Sequence, residues 1–365
     1  MDADALRDEV REWVRDGIIT DEQADEIVAR YEDDDPGRSR IVLALSLVGT
    51  VLVFVGVALF LATNWGALPR AARAAVLVLG PGLAYGLGIA AYGRSAPRVG
   101  HALCLLGAVL VGPSLVLFDD LFVLGLAGGW LLFAWTAVAL PTGHALDSRV
   151  GTGIGLLVLV ALAVELAEPA DPLPVVGSLG IVLFALGYAR TGRVPWTYRT
   201  GGAAVTLGAL LVLTTLEGRF VRFELEPTAV LAAVLVGSLV GAGWLGYTGE
   251  RAGSGWVTAS LVALFGSVTV AALAPGTVPG PFAFVGTHLA ALVGLLATGY
   301  LGYRTRSRPL IDLAALGGLF QTLSFVAATV VDGLSGSVAL IVAGLVLLGA
   351  GLVLERGRRS LLARL

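Results

Sequence analysis

Between Ile41 and Leu354 the chain carries roughly a dozen apolar stretches, each long enough to cross a bilayer. The first, 41–63, runs 23 residues without a charge. A helix rises ~1.5 Å per residue, so about 20 apolar residues span a ~30 Å hydrocarbon core. Lipid offers no hydrogen bonds to an open backbone, so such segments must be helices or closed barrels. Length and continuous hydropathy select helices. The pattern predicts an all-α, polytopic bundle of about twelve transmembrane helices over 41–365. Segments are expected near 41–63, 74–92, 99–118, 121–140, 150–167, 173–190, 200–216, 228–247, 256–274, 282–303, 309–331 and 336–354. Asp119-Asp120 is read as a tight link between the third and fourth.

Composition agrees: 56% of residues are hydrophobic, 14% are charged, and there are 50 glycines. Glycine lets membrane helices approach closely. Pairs four residues apart occur at Gly82/Gly86, Gly125/Gly129, Gly151/Gly155 and Gly237/Gly241. They are read as packing within one bundle before a homo-oligomer face. All 24 basic residues are arginine, a bias that a high-GC genome or adaptation to high salt would each produce; the acidic N-terminus also suits high salt, and a halophilic archaeon is the expectation. The lone cysteine, Cys104, excludes an intramolecular disulfide. No leader is read at the charged start, so the first membrane helix is expected to direct insertion.

Residues 1–40 read as a separate acidic two-helix hairpin. Residues 1–35 hold 14 acids against four arginines, a balance of −10, and the remainder is +7. Leu6, Val10, Trp13 and Val14 place an amphipathic helix over Ala3–Arg15, stopped by Gly17. Thr20 and Gln23 have the spacing of a capping box opening a second helix. Ile27, Val28 and Tyr31 form its apolar stripe. About 30 residues cannot hold a core alone, so the hairpin is expected to dock or to bind a partner. Its candidate contact surface is Trp13, Ile18, Ile19, Ile27 and Tyr31.

Arginine placement sets orientation. With the N-terminus inside, 16 arginines of the linkers and tail fall on the inner side and four, Arg70, Arg73, Arg219 and Arg222, on the outer. Both termini are then cytoplasmic, in the plasma membrane. LGYAR (186–190), LGYTGER (245–251) and LGYRTR (301–306) form a weak repeat at inner helix ends.

Two stretches, WVRDGIITDEQADEIVARY (13–31) and VALFLATNWGALPRAAR (57–73), resemble the domain of unknown function 2157 family of predicted membrane proteins. The ending GLVLLGAGLVLERGRR (344–359) is similar to the final helix of such proteins. The resemblance implies a polytopic inner-membrane protein with a cytoplasmic N-terminal domain, and no activity.

Few residues could carry chemistry. Asn64 ends the first membrane helix before Trp65, where its amide can cap carbonyls. Gln321 is the deepest strongly polar residue, and His288 lies about two turns from the outer face. Asn64, His288 and Gln321 are the candidate intramembrane polar site. Asp312 reads as a first-turn acid facing the helix dipole, and His144 as a loop residue. Pro81 and Pro113 are candidate helix breaks. No catalytic, metal or cofactor constellation is read, so no enzyme is expected. Nucleic-acid binding is not expected either, since topology explains the arginines. The expected partners are the bilayer and a cytoplasmic protein engaging residues 1–40. The leading expectation is a non-enzymatic membrane module whose hairpin recruits or senses that partner. The alternative is a transporter or flippase for a neutral or lipidic solute.

Overall fold

A computed structural model describes residues 3–25, 52, 63–94, 96–168, 171–189, 194–216, 229–273, 280–331 and 336–362. The described residues are all-α, with twelve α-helices, one 3-10 turn (Trp65–Ala67) and one π-helical stretch (Ala327–Val331). The helices are α1 (Ala3–Arg15), α2 (Arg70–Gly93), α3 (Pro97–Phe122), α4 (Gly128–Ala145), α5 (Arg149–Ala167) and α6 (Pro172–Leu186). They continue as α7 (Val194–Leu216), α8 (Ala229–Tyr247), α9 (Arg251–Leu273), α10 (Gly280–Arg304), α11 (Arg308–Val326) and α12 (Gly336–Leu362). The chain divides into two compact units, Met1–Arg73 and Ala74–Leu365.

In the first unit α1 closes on the following turn. Val10 is 1% exposed and packs with Ala24, against Trp13, Val14 and Ile19. Gly17 takes φ +69°, the left-handed geometry that lets the chain reverse. The capping box forms in both directions. Thr20 N–H donates to Gln23 Oε1 at 3.1 Å, and Gln23 N–H donates to Thr20 Oγ1 at 3.3 Å. Helical backbone follows at 21–25. The first expected membrane segment, 41–63, lies almost wholly outside the described residues.

In the second unit, seven helices among the described residues are long and apolar enough to cross a membrane: α2, α3, α5, α8, α9, α10 and α11. One shorter apolar helix, α6, joins them. The expected count of about twelve is therefore corrected. Apolar runs in sequence mark burial as well as lipid contact. The 15-residue α6 is hydrophobic on every side, and its Ile181 and Phe184 are fully buried. The 18-residue α4 carries Pro141 and His144.

The Asp119-Asp120 link is also corrected. Both acids lie in the last turn of α3, which ends four residues later than expected. Val123 takes φ 53°, Leu124 N–H donates to the Asp119 carbonyl at 3.2 Å, and Leu126 N–H donates to Asp119 Oδ1 at 3.0 Å. Asp119 thus ties the loop to the helix it was expected to break. Pro81 and Pro113 break nothing: α2 and α3 run through them.

Two of the three Leu-Gly-Tyr copies share a helix-ending turn, while Leu186 of the first is exposed. At 245–249 and 301–306 the leucine is fully buried and the chain leaves the helix through a left-handed residue, Gly249 or Arg306. The next amide reaches back to the helix: Glu250 N–H to Leu245 O at 2.9 Å, Ser307 N–H to Gly302 O at 2.8 Å. The α4–α5 turn repeats this with Asp147 left-handed and Ser148 N–H on Gly143 O at 2.9 Å. Each turn is followed at once by an arginine opening the next helix: Arg149, Arg251 and Arg308.

Small residues set the helix spacing. α6 packs most heavily on α7, and a Cβ on Gly202 would meet backbone of Gly180 and Phe184 at 2.5 Å. Gly151/Gly155 press α5 onto α4, and Gly237/Gly241 press α8 onto α6. Gly82 and Gly86 have nothing near, and Gly125 lies in a loop at φ +65°.

Candidate functional site

The expected polar residues fall into both units. His288 stands two turns into α10 and is 7% exposed. Its Nδ1 lies 2.9 Å from the Phe284 carbonyl. A carbonyl can only accept, so Nδ1 holds the proton and Nε2 is left as an acceptor. Nε2 is buried and has no partner among the described residues. The ring is boxed by Phe284, with centroids 4.1 Å apart, and by Phe325 of α11 at 5.5 Å, edge-on. Directly after Phe325 and Val326, α11 loosens into its π-helical stretch.

Gln321 lies one turn before Phe325 on the same helix, so α10 and α11 bring it and His288 into one neighbourhood. They share no hydrogen bond in the structure. Gln321 instead faces Thr214 of α7, with Oγ1 and Oε1 3.4 Å apart. Thr214 has one hydroxyl proton and a nearer acceptor, Leu211 O at 2.7 Å. The Gln321 link is therefore the weaker of the two. Asn64 belongs to the other unit. Its side chain makes no cap bond; it donates to Thr63 Oγ1 at 3.2 Å, while its backbone carbonyl accepts from Leu68 N–H.

The hairpin surface is also redistributed. Trp13 and Ile19 support the Val10–Ala24 cluster, whereas Ile18 is 67% exposed at the turn. Ile27 and Tyr31 lie outside the described residues.

Several polar contacts were not anticipated. His144 sits inside α4, not in a loop, with Nδ1 2.7 Å from Leu140 O and Nε2 3.1 Å from Tyr198 Oη. Arg199 stacks on Tyr188, its Cζ 3.8 Å from the ring centroid, and donates to Gly187 O at 3.0 Å. Burial pushes the Tyr188 hydroxyl pKa up, against the opposing charge of Arg199. Asp171 caps α6 through Leu173 N–H at 2.9 Å, and burial holds its carboxyl above the usual range. Asp312 lies past the first turn of α11, so the expected first-turn acid is corrected. It pairs with Arg358 near the end of α12, Nε to Oδ1 2.6 Å. The hairpin register of α11 and α12 was the available signal, since the start of one meets the end of the other.

Residues 11–152 match the family model described as "Predicted membrane protein (DUF2157)". The match bears out the resemblance of the N-terminal motifs and runs beyond them to Thr152; it does not include the ending at 344–359. No curated protein and no solved structure matches the chain.

Proposed function

We propose, for a chain whose residues 11–152 match the DUF2157 predicted-membrane-protein model, a non-enzymatic multi-pass module whose N-terminal hairpin recruits or senses a cytoplasmic partner. The observation that carries this is the exposed Ile18 at the tip of a hairpin closed by its own small core. An apolar residue at an acidic tip suits a partner surface that is apolar at its centre and basic at its rim. Trp13 and Ile19 hold the tip from behind. The arginine asymmetry, 16 against four when every expected segment crosses, is what supports cytoplasmic termini in the plasma membrane. The lysine-free composition supports a high-salt source. The test is native mass spectrometry on full-length protein extracted gently from its own membranes. A retained protein partner that is lost with Ile18→Asp, or on deletion of residues 1–40, supports recruitment. Identical associations after the deletion refute it.

A second reading, transport of a neutral or lipidic solute, is favoured by one observation. The buried His288 Nε2 can accept a hydrogen bond, next to a π-helical stretch of the kind that often marks functional helices. Solute flux unchanged by His288→Phe with Gln321→Ala would remove it.

A further inference from the structure

The geometry points to a phospholipid site in the groove between α9 and α10, where Arg251 and Arg304 take the phosphate and the apolar wall takes an acyl chain. The groove encloses about 610 Å³, within the ~300–1,000 Å³ of ligand sites. Its mouth is the α9 start and the α10 end, which carry Arg251 and Arg304. Below the mouth, Gly255 and Ala259 on α9 face Val293 and Leu296 on α10. From Arg251 to Ala259 the groove follows α9 for eight residues, about 12 Å.

The two ends differ in chemistry. At the mouth, neither arginine makes an ion pair among the described residues. Guanidinium groups are the side chains best matched to phosphate oxygens. Apart from Tyr300, one turn below Arg304, the lining below the mouth is apolar. Trp256 belongs to that lining, but its Nε1–H is already donated to Thr298 Oγ1 at 2.9 Å, so the ring shows the groove only hydrocarbon. Gly255 leaves the middle open: a Cβ there would meet nothing within 4 Å. Topology alone accounts for arginines at this end of the helices, but not for a small-residue channel beneath two of them. Basic pockets between membrane helices are known to hold anionic headgroups. The apolar wall selects a lipid phosphate over a free one.

The test uses the full chain in detergent, incubated with equal phosphatidylglycerol and phosphatidylcholine, and read by native mass spectrometry. The wild type is expected to retain phosphatidylglycerol preferentially. Arg251→Gln with Arg304→Gln should cut that preference by about thirtyfold, the effect of two arginines beside an anionic headgroup. Gly255→Leu fills open space, so it should leave the melting temperature unchanged while lowering retention of both lipids. Arg98→Gln, outside the groove, should change neither. Equal retention of both lipids by wild type, or an equal loss with Arg98→Gln, would overturn the proposal in favour of unselective surface lipid. Glycerol 3-phosphate competing as well as the whole lipid would overturn the assignment of the acyl wall.

Discussion

Gly202→Ala should be among the most damaging one-methyl changes in the second unit. The added Cβ would stand 2.5 Å from Gly180 O and Phe184 N and 3.0 Å from Phe184 Cα. All three are backbone atoms, so no side chain can swing aside and the helices must separate. Overpacking costs about 1–3 kcal/mol, and a rigid neighbour places this site near the upper end. Separation would also loosen the fully buried Phe184 and Ala203 and lengthen the Thr206 Oγ1 to Gly177 O hydrogen bond, 3.0 Å in the native packing. We expect a loss of about 2–3 kcal/mol. Gly208→Ala on the same helix is the control. Nothing lies within 4 Å of its Cβ, so stability should hold or rise by up to about 1 kcal/mol through helix propensity. The assay is denaturant unfolding in micelles followed by tryptophan fluorescence, with Trp256, its ring tilted against Phe184 at 4.1 Å between centroids, as the near reporter. A Gly202→Ala loss no larger than that of Gly208→Ala would refute the close-approach reasoning.

Other expectations follow from single contacts. Thr20→Ala removes one arm of the capping box and should cost the second hairpin helix about 1 kcal/mol, visible as faster hydrogen exchange at 21–25. His288→Phe should be neutral or stabilising by about 1 kcal/mol in thermal unfolding, because it removes a buried unpaired acceptor from an aromatic box; a marked destabilisation would mean that Nε2 is paired. Glu355 has its pKa lowered, first by the hydrogen bond from Arg359. A lowered acid pKa stabilises above the unfolded value of 4.5 and is lost as pH falls through the folded one. Protection factors at the end of α12, exchange rates corrected for their intrinsic pH dependence, should therefore fall below about pH 4.5 and stay constant above it.

Local signals were the most legible part of this chain. Ala3–Arg15 and the Thr20–Gln23 box depend on spacing within a few residues, which the sequence displays directly. The packing of Gly151/Gly155 and Gly237/Gly241 was legible as small-residue faces, but the same spacing at Gly82/Gly86 meets nothing. Four-residue glycine spacing identifies a face without saying whether a helix lies against it. The helix count failed because hydropathy reads a buried helix such as α6 and a lipid-facing one alike. Asp119 misled for a related reason. A carboxylate at a helix end can take loop amides instead of ending the helix, and only the fold shows those amides. Asp312–Arg358 spans 46 residues and needed the hairpin register. Trp13 and Ile19, expected to face a partner, also pack on the Val10–Ala24 cluster.

The proposed function requires the arginine-rich turns to face the cytoplasm. Cysteine labelling in intact cells tests this directly. Cys104 is buried and unique, so Cys104→Ala gives a clean background. Single cysteines at exposed Glu250 and Thr305 should resist a membrane-impermeant maleimide, while those at exposed Leu126 and Glu168 should react. The reversed pattern, or labelling at all four positions, would contradict the orientation and with it a cytoplasmic role for the hairpin.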